Sequence, residues 1–242
     1  MAYQTIDFDE YFNDYLTDWM EKNASRFHNA DEMEEAAPEV YMTWLNTPAD
    51  WLGGKCPGNA FDDSSDAGEL CGLLIRYMEE DVSVPDPLLE RIAEIGDDAA
   101  VMALLTDSDA PCEARMMAID LLTQMESTAP MVDYLRWQVE RKVDDDLLDK
   151  SIDALDEMGE VVKGPALIAF RAADQKGKDY LLDVLCNYPG DEEVFQYTLD
   201  RFKGSESERA LFAGYLAKLG DDRALEALLD VAESDDVKYI DF

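Results

Sequence analysis

Apolar residues recur at helical spacing near the start of the chain, over residues 6 to 27. They are Ile6, Phe8, Tyr11, Phe12, Tyr15, Leu16, Trp19 and Met20. Steps of three and four residues place them on one face of an amphipathic helix. Asp7 and Glu10 resemble a capping pair, and acidic residues are favourable at a helix N-terminus. The many aromatic rings predict that this face is buried against the rest of the protein.

Two further helices are predicted before the middle of the chain. One covers residues 30–45 and is interrupted at Pro38, and the other covers residues 67–80. A connector marked by prolines follows, which predicts a boundary near residue 82. We therefore expect an N-terminal helical cap over residues 1–82 and a second part over residues 83–242.

The stretch between these two helices is irregular. Gly53 and Gly54 permit unusual backbone dihedrals, and Pro57 suits the first turn of a following helix. Trp44 and Trp51 lie in the same stretch, and if exposed they are candidate anchors for a protein partner. If buried, they pin the N-terminal segment against the first repeat, and their large area favours this second interpretation.

From about residue 84 the chain becomes repetitive, with one marker position closing each apolar helical segment. The markers are Gly96, Glu126, Gly159, Gly190 and Gly220, at intervals of 30, 33, 31 and 30 residues. The residue four positions before each marker is always apolar. These residues are Ile92, Leu122, Leu155, Cys186 and Leu216.

A short second helix is predicted after every marker. The five segments run over residues 99–105, 131–138, 161–170, 194–199 and 224–229. Helix pairs at a period near 31 residues are typical of an α-solenoid, in which each pair buries its apolar face against its neighbours. We therefore predict an all-α protein, a right-handed α-solenoid of about five helix pairs preceded by the cap.

The best repeat resembles the short HEAT repeats of phycobilin-lyase-like proteins. Arg115, Ala118 and Leu122 stand where that pattern has Arg, Ala and Leu, whereas Ala114 replaces Val and Glu126 replaces Gly. The last repeat keeps the pattern at Arg209, Leu216, Leu219 and Gly220, and the middle repeats depart from it, with Leu148 and Asp179 at the arginine position. The resemblance covers about residues 84–235 and implies a fold that serves mostly as an interaction surface.

Composition narrows the class of partner. The chain is 47% hydrophobic, ample for a core, yet carries 56 acidic and 20 basic residues, a net charge of −36 and a pI near 4.1. This charge argues against direct binding of nucleic acid, which needs a basic patch, and against anionic membranes. Either a high-salt habitat or an ordinary acidic cytosolic protein accounts for it.

Neither a metal site nor an enzyme site is predicted. The four cysteines lack CxxC spacing, the single histidine, His28, lies far from all of them, and no hydrolase, zincin, phosphate-loop or dinucleotide motif is present. The acidic run from Asp144 to Glu157 lacks the EF-hand pattern and is interpreted as a solvated helix start. We expect no cofactor. Reduced cysteines, the absence of a signal sequence and the absence of a long apolar run predict a cytoplasmic protein.

Basic residues form the most informative charge pattern. Arg136, Arg171 and Arg201 lie ten to twelve residues after their markers, near the ends of three consecutive second helices. Lys163 lies in one of these helices, and Arg141, Lys142 and Lys203 lie in the same helices or just after them. Because second helices line the concave face of such a solenoid, these side chains are candidates to bind an acidic peptide. Alternatively, they satisfy the carbonyls at helix C-termini.

Together these observations predict a non-enzymatic scaffold that binds a protein or peptide through its concave face. The predicted partner-binding residues are Arg136, Arg171, Arg201, Lys163, Trp44 and Trp51. One alternative is an acidic decoy that occupies basic, nucleic-acid-binding proteins. Another is a lyase-type or other enzyme accessory, which rests on analogy of fold alone.

Overall fold

The structure is a computed structural model that describes residues 4–27 and 30–232. Within this part of the chain every regular element is a helix, and no helix is long and apolar enough to cross a membrane. The α-helices are α1 Phe8–Asn23, α2 Ala30–Glu35, α3 Ala37–Leu45, α4 Ala67–Glu79, α5 Asp86–Ile95, α6 Asp98–Thr106, α7 Cys112–Gln124, α8 Met131–Glu140, α9 Asp145–Glu157, α10 Lys163–Ala172, α11 Gln175–Leu185, α12 Glu192–Gly204, α13 Arg209–Leu219 and α14 Leu225–Ala232. Short 3-10 helices cover Ala24–Arg26, Asp50–Leu52, Pro57–Asn59, Gly159–Val162 and Asp222–Ala224.

The predicted N-terminal helices are confirmed. Asp7 caps α1 by accepting a hydrogen bond from the Glu10 amide at 3.0 Å. The helix pattern breaks between α2 and α3, and Pro38 lies in the first turn of α3, where its missing N–H costs nothing. Gly53 and Gly54 both take positive φ values, 66° and 92°.

All five marker positions have a left-handed backbone. Their φ values are 69° at Gly96, 53° at Glu126, 70° at Gly159, 98° at Gly190 and 62° at Gly220. A residue in this conformation ends a helix because the chain can no longer follow the helical path. The apolar residues four positions earlier, from Ile92 to Leu216, are all buried. Four of the markers, Gly96, Glu126, Gly159 and Gly220, lie within two residues of a helix end, whereas α11 ends five residues before Gly190.

Hydrogen bonds also join positions that lie one repeat apart. The bonded pairs are Ser127 with Asp98, Asn187 with Asp156, Tyr188 with the Gly159 carbonyl, Tyr215 with Asp183, and Arg223 with Glu192. Their separations in sequence are 29, 31, 29, 32 and 31 residues. These hydrogen bonds therefore connect neighbouring helix pairs within residues 98–127 and within residues 156–223.

The arginine of the repeat pattern has a defined contact in both repeats that retain it. Arg115 is buried on α7, and its Nε donates to the Leu105 carbonyl in the last turn of α6 at 2.9 Å. Arg209 at the start of α13 donates in the same way to the Phe202 carbonyl of α12, at 3.3 Å. Each arginine thus satisfies a carbonyl near the end of the preceding helix.

The middle repeats make this connection differently. At Leu148 the donor is Gln138 of the preceding helix, which is buried and donates to the Leu148 carbonyl and to Ser151 Oγ, both at 2.8 Å. Asp179 stands at the arginine position of another repeat, so the charge there is negative instead of positive. Arg201 of the following helix donates a hydrogen bond to this carboxylate. The departures from the pattern therefore keep the helices joined through other donors.

The chain divides into two compact units, Met1–Ser127 and Thr128–Phe242. In the first unit α4 packs against α5, α6 and α7, so the boundary expected near residue 82 falls inside this unit. In the second unit α8 packs against α9, α10 and α11, and α12 packs against α13.

Candidate protein-binding site

The two tryptophans proposed as partner anchors take part in an aromatic cluster. Trp44 is only 4% exposed, and its ring centroid lies 5.3 Å from that of Phe12 and 6.2 Å from that of Phe8. Trp51 is half-buried and stacks on Tyr11 with centroids 4.1 Å apart. A partner cannot reach Trp44 without unpacking this cluster. Trp44 is thus buried, and the ring contacts described here lie within the N-terminal segment rather than against the first repeat.

Arg201 is held in place by carboxylates of the chain itself. Its Nε and Nη2 donate to the two Asp179 oxygens at 3.0 and 2.8 Å, and Nη2 also contacts Glu208 at 2.8 Å. Its side chain is 18% exposed and lies over the Phe212 ring. These hydrogen bonds raise the pKa of Arg201. Asp179 also accepts from Tyr197, whose pKa is raised by burial first and by this carboxylate second.

Arg136 and Arg171 are more exposed, and each is also paired. Arg171 Nε donates to Glu193 at 2.8 Å and Nη2 lies 3.5 Å from Asp191, with 52% of the side chain exposed. Arg136 pairs with Asp133 on its own helix, and 54% of its side chain is exposed. Both arginines are therefore accessible, but any anion that binds them competes with a carboxylate of the chain.

Lys163 is the one predicted cation that contacts a backbone carbonyl. It lies at the start of α10, and its Nζ donates to the Pro189 carbonyl at 3.2 Å. Lys163 and Arg171 thus share one helix, while Arg136 and Arg201 lie on α8 and α12. The three arginines each contact a carboxylate side chain.

An open apolar groove of about 540 Å³ runs between α8 and α10. Its apolar lining includes Val132, Leu135, Val139, Ile168, Ala169 and Ala172. Val132 and Ile168 are 69% and 70% exposed, although both are large apolar side chains. Arg136, Glu140, Pro165 and Ala173 complete the lining. Such a surface with charged residues beside it is typical of a protein-interaction site.

A second, more polar depression of about 440 Å³ adjoins the groove. Ala173 lines both of them. The depression also contains Lys178, Tyr197, Asp200 and Arg201. The apolar groove thus adjoins, at Ala173, a depression that carries charged side chains.

Of the predicted cations, Arg136 lines the groove and Arg201 the depression, whereas Lys178 and the apolar residues of the groove were not predicted. Val132, Arg136 and Val139 are spaced by four and three residues on α8, and Ile168 and Ala172 are spaced by four on α10. This spacing was present in the sequence. However, periodicity alone does not distinguish an apolar stripe that is buried from one left open.

No group of three or more metal-ligating side chains occurs among residues 4–27 and 30–232. All four cysteines are free, and burial raises the pKa of Cys71 to about 11 and that of Cys186 to about 12. His28 and the C-terminal run Val237–Phe242 lie outside the described residues. Comparison of the chain with protein-family models, curated proteins and solved structures finds no match.

Proposed function

We propose that this protein is a non-enzymatic interaction module that binds a protein or peptide in the groove between α8 and α10. The observation that carries the proposal is the exposure of Val132 and Ile168 within one groove. Exposed apolar side chains that line a concave surface lose unfavourable contact with water when a partner covers them. A partner that inserts an aromatic or aliphatic anchor into the groove gains most of its affinity there.

The repeated helix pairs are proposed to be HEAT-like, with the right-handed stacking of an α-solenoid. Three features support this: the left-handed markers, the hydrogen bonds between positions one repeat apart, and the carbonyl contacts of Arg115 and Arg209. In this arrangement α8, α10 and α12 are second helices and belong to the concave face. The groove then lies on the face predicted from the sequence.

In this proposal Arg136 and Arg171 orient the partner, whereas the sequence predicted that the arginines bind it. Since Arg136 and Arg171 already pair with Asp133 and Glu193, an acidic partner exchanges one ion pair for another and gains little net energy. The new ion pair still requires a carboxylate in a particular orientation, because each guanidinium presents its donors in a fixed, planar arrangement. Apolar contact therefore supplies affinity, and Arg136 and Arg171 orient the partner.

The test is affinity capture from the native lysate at low and high salt, with three variants of the full chain. Ile168→Asp places a charge in the groove, and Arg136/Arg171→Ala removes the exposed arginines without touching the better-buried Arg201. Met42→Asp is the matched control, because Met42 is also exposed, at 58%, but lies on α3. A partner that survives high salt, is lost with Ile168→Asp and is kept by the control supports the proposal. A partner retained by Ile168→Asp contradicts it.

A second candidate function, the acidic decoy, is favoured by the charge alone. With 56 acidic and 20 basic residues, the chain attracts basic, nucleic-acid-binding proteins over a long range. Such binding weakens steeply with salt, because exposed charges are screened beyond about 10 Å at 0.1 M. In the same capture experiment the decoy predicts basic proteins that disappear at high salt and are indifferent to all three variants.

A further inference from the structure

Lys178 differs from the other cations that line the groove between α8 and α10 and the depression beside it. Those other cations are Arg136 and Arg201. Arg136 pairs with Asp133, and Arg201 pairs with Asp179. Among the residues that the structure describes, Lys178 forms no ion pair with a carboxylate. An anion that binds Lys178 therefore displaces no carboxylate described in the structure, whereas one that binds either arginine does.

Lys178 lies in the first turn of α11, beside the apolar groove. Its neighbour Gly177 is buried against two residues of the groove lining. A Cβ atom added at Gly177 would lie 3.0 Å from Val139 Cγ1 and 3.0 Å from Ala173 Cβ. Glycine permits this close approach because it has no side chain. The start of α11 thus holds Lys178 next to the apolar side chains that a partner is proposed to cover.

Two aromatic rings define the position of the Lys178 ammonium group. Its Nζ lies 5.0 Å from the centroid of the Phe170 ring and 5.6 Å from that of the Tyr197 ring. The two rings pack edge to face, and the Tyr197 hydroxyl donates to Asp179 at 2.7 Å, which holds the ring in place. A ring face attracts a cation, but it does not satisfy N–H donors as an oxygen atom does. The ammonium is therefore held in position with donors that a ligand can use.

Asp200 gives the same depression a negative group. Asp200 is exposed, and its carboxylate accepts a hydrogen bond from Gln196 at 2.9 Å. Lys178 is half-buried, so water screens an ion pair there less than one at Asp200. The charges of the depression therefore favour an acidic group at Lys178 over a basic group at Asp200.

We propose that the partner segment carries apolar side chains for the groove between α8 and α10 and, beside them, a carboxylate that binds the Lys178 ammonium. This inference rests on the proposed function and names the class of segment that the groove takes. The net charge of −36 repels a strongly acidic partner, so the segment is mainly apolar with few acidic residues. The groove supplies affinity, and Lys178 supplies specificity.

A display library of random short peptides, panned on the full chain at about 0.15 M NaCl, tests this proposal. Peptides that bind the unaltered chain but not the Ile168→Asp variant depend on the groove. We expect these peptides to combine apolar residues with Asp or Glu, and to bind the Lys178→Gln variant about tenfold more weakly. Lys176→Gln is the matched control, because Lys176 is an exposed lysine of the same helix that lies over a different ring, that of Tyr180. Its affinity for the peptides should be unchanged.

A second measurement places the change in the peptide, so that it does not depend on how well a variant folds. Replacing the acidic residue of a selected peptide by its amide should weaken binding to the unaltered chain about tenfold. The same replacement should have no further effect on binding to the Lys178→Gln variant, because the contact is already absent there.

The results that would overturn the proposal differ from those that would overturn the proposed function. Peptides that depend on the groove but lack an acidic residue, or that bind the Lys178→Gln variant as tightly as the unaltered chain, contradict the role of Lys178 alone. Basic peptides that depend on the groove and are weakened by Asp200→Asn contradict it as well, and indicate a basic partner. If no selected peptide is lost with Ile168→Asp, the groove is not a docking site and both proposals fail.

Discussion

Replacing Glu126 by glycine should stabilise the protein. Glu126 is the only one of the five repeat markers that is not glycine, and its φ of 53° is one that side-chain-bearing residues rarely adopt. Two hydrogen bonds define the helix end: the Glu126 amide donates to the Thr123 carbonyl and the Ser127 amide to the Leu122 carbonyl, both at 2.9 Å. This is the Schellman arrangement, which glycine favours at the left-handed position. Both bonds use main-chain atoms and survive the substitution.

The expected gain is about 1 kcal/mol. A left-handed conformation costs an L-residue about 1–2 kcal/mol, and glycine avoids this cost. Against that, glycine loses more conformational entropy on folding, which offsets about 0.5–1 kcal/mol. Glu126 is exposed, so removing its side chain sacrifices little packing. A gain of 1 kcal/mol raises Tm by about 2–4 °C for a chain of this size.

Urea and thermal unfolding, followed by circular dichroism, measure the effect. Glu126→Ala is the matched control, because it removes the carboxylate and keeps the Cβ atom that causes the strain. Gly220→Ala is the converse change: no atom lies within 4 Å of the added Cβ, so a destabilisation of about 1 kcal/mol reports the dihedral alone. If Glu126→Gly is no more stable than Glu126→Ala, then strain at the marker is not what the glycines relieve, and the reasoning is refuted.

Three further predictions concern charge and thiol chemistry. Arg201→Ala should destabilise the protein by about 1 kcal/mol in urea unfolding, since Arg201 donates to both Asp179 oxygens. Arg171→Ala removes a more exposed ion pair and should leave the unfolding midpoint unchanged. Equal effects of the two substitutions would contradict this ranking. Only the thiolate reacts, and the pKa values of Cys71 and Cys186 are raised. A thiol-reactive dye at pH 8 should therefore modify the half-exposed Cys56 and Cys112 first. Peptide mapping that finds all four cysteines modified at the same rate would contradict this prediction. Raising NaCl from 0.05 to about 0.5 M should increase Tm, because salt screens the self-repulsion of a net charge of −36. A constant Tm would show that this repulsion is negligible in the folded chain.

Local sequence patterns predict the helices and several of their ends. Apolar spacing located α1, α4 and the repeated pairs, and four of the five markers lie within two residues of a helix end, Gly190 being the exception. These properties are local, because a helix requires only neighbouring residues, and a left-handed end requires only that its own residue tolerate positive φ.

The contacts of the charged side chains and the exposure of the apolar ones depend on the tertiary structure. Arg201 was predicted to face a partner, and its carboxylate partner Asp179 lies 22 positions away, on the preceding helix. Val132 and Ile168 belong to two helices, and nothing in either helix alone says that the space between them stays open. Ion pairs and grooves depend on the distance between atoms that are remote in sequence. That distance is set by how whole helices pack, which local patterns do not encode.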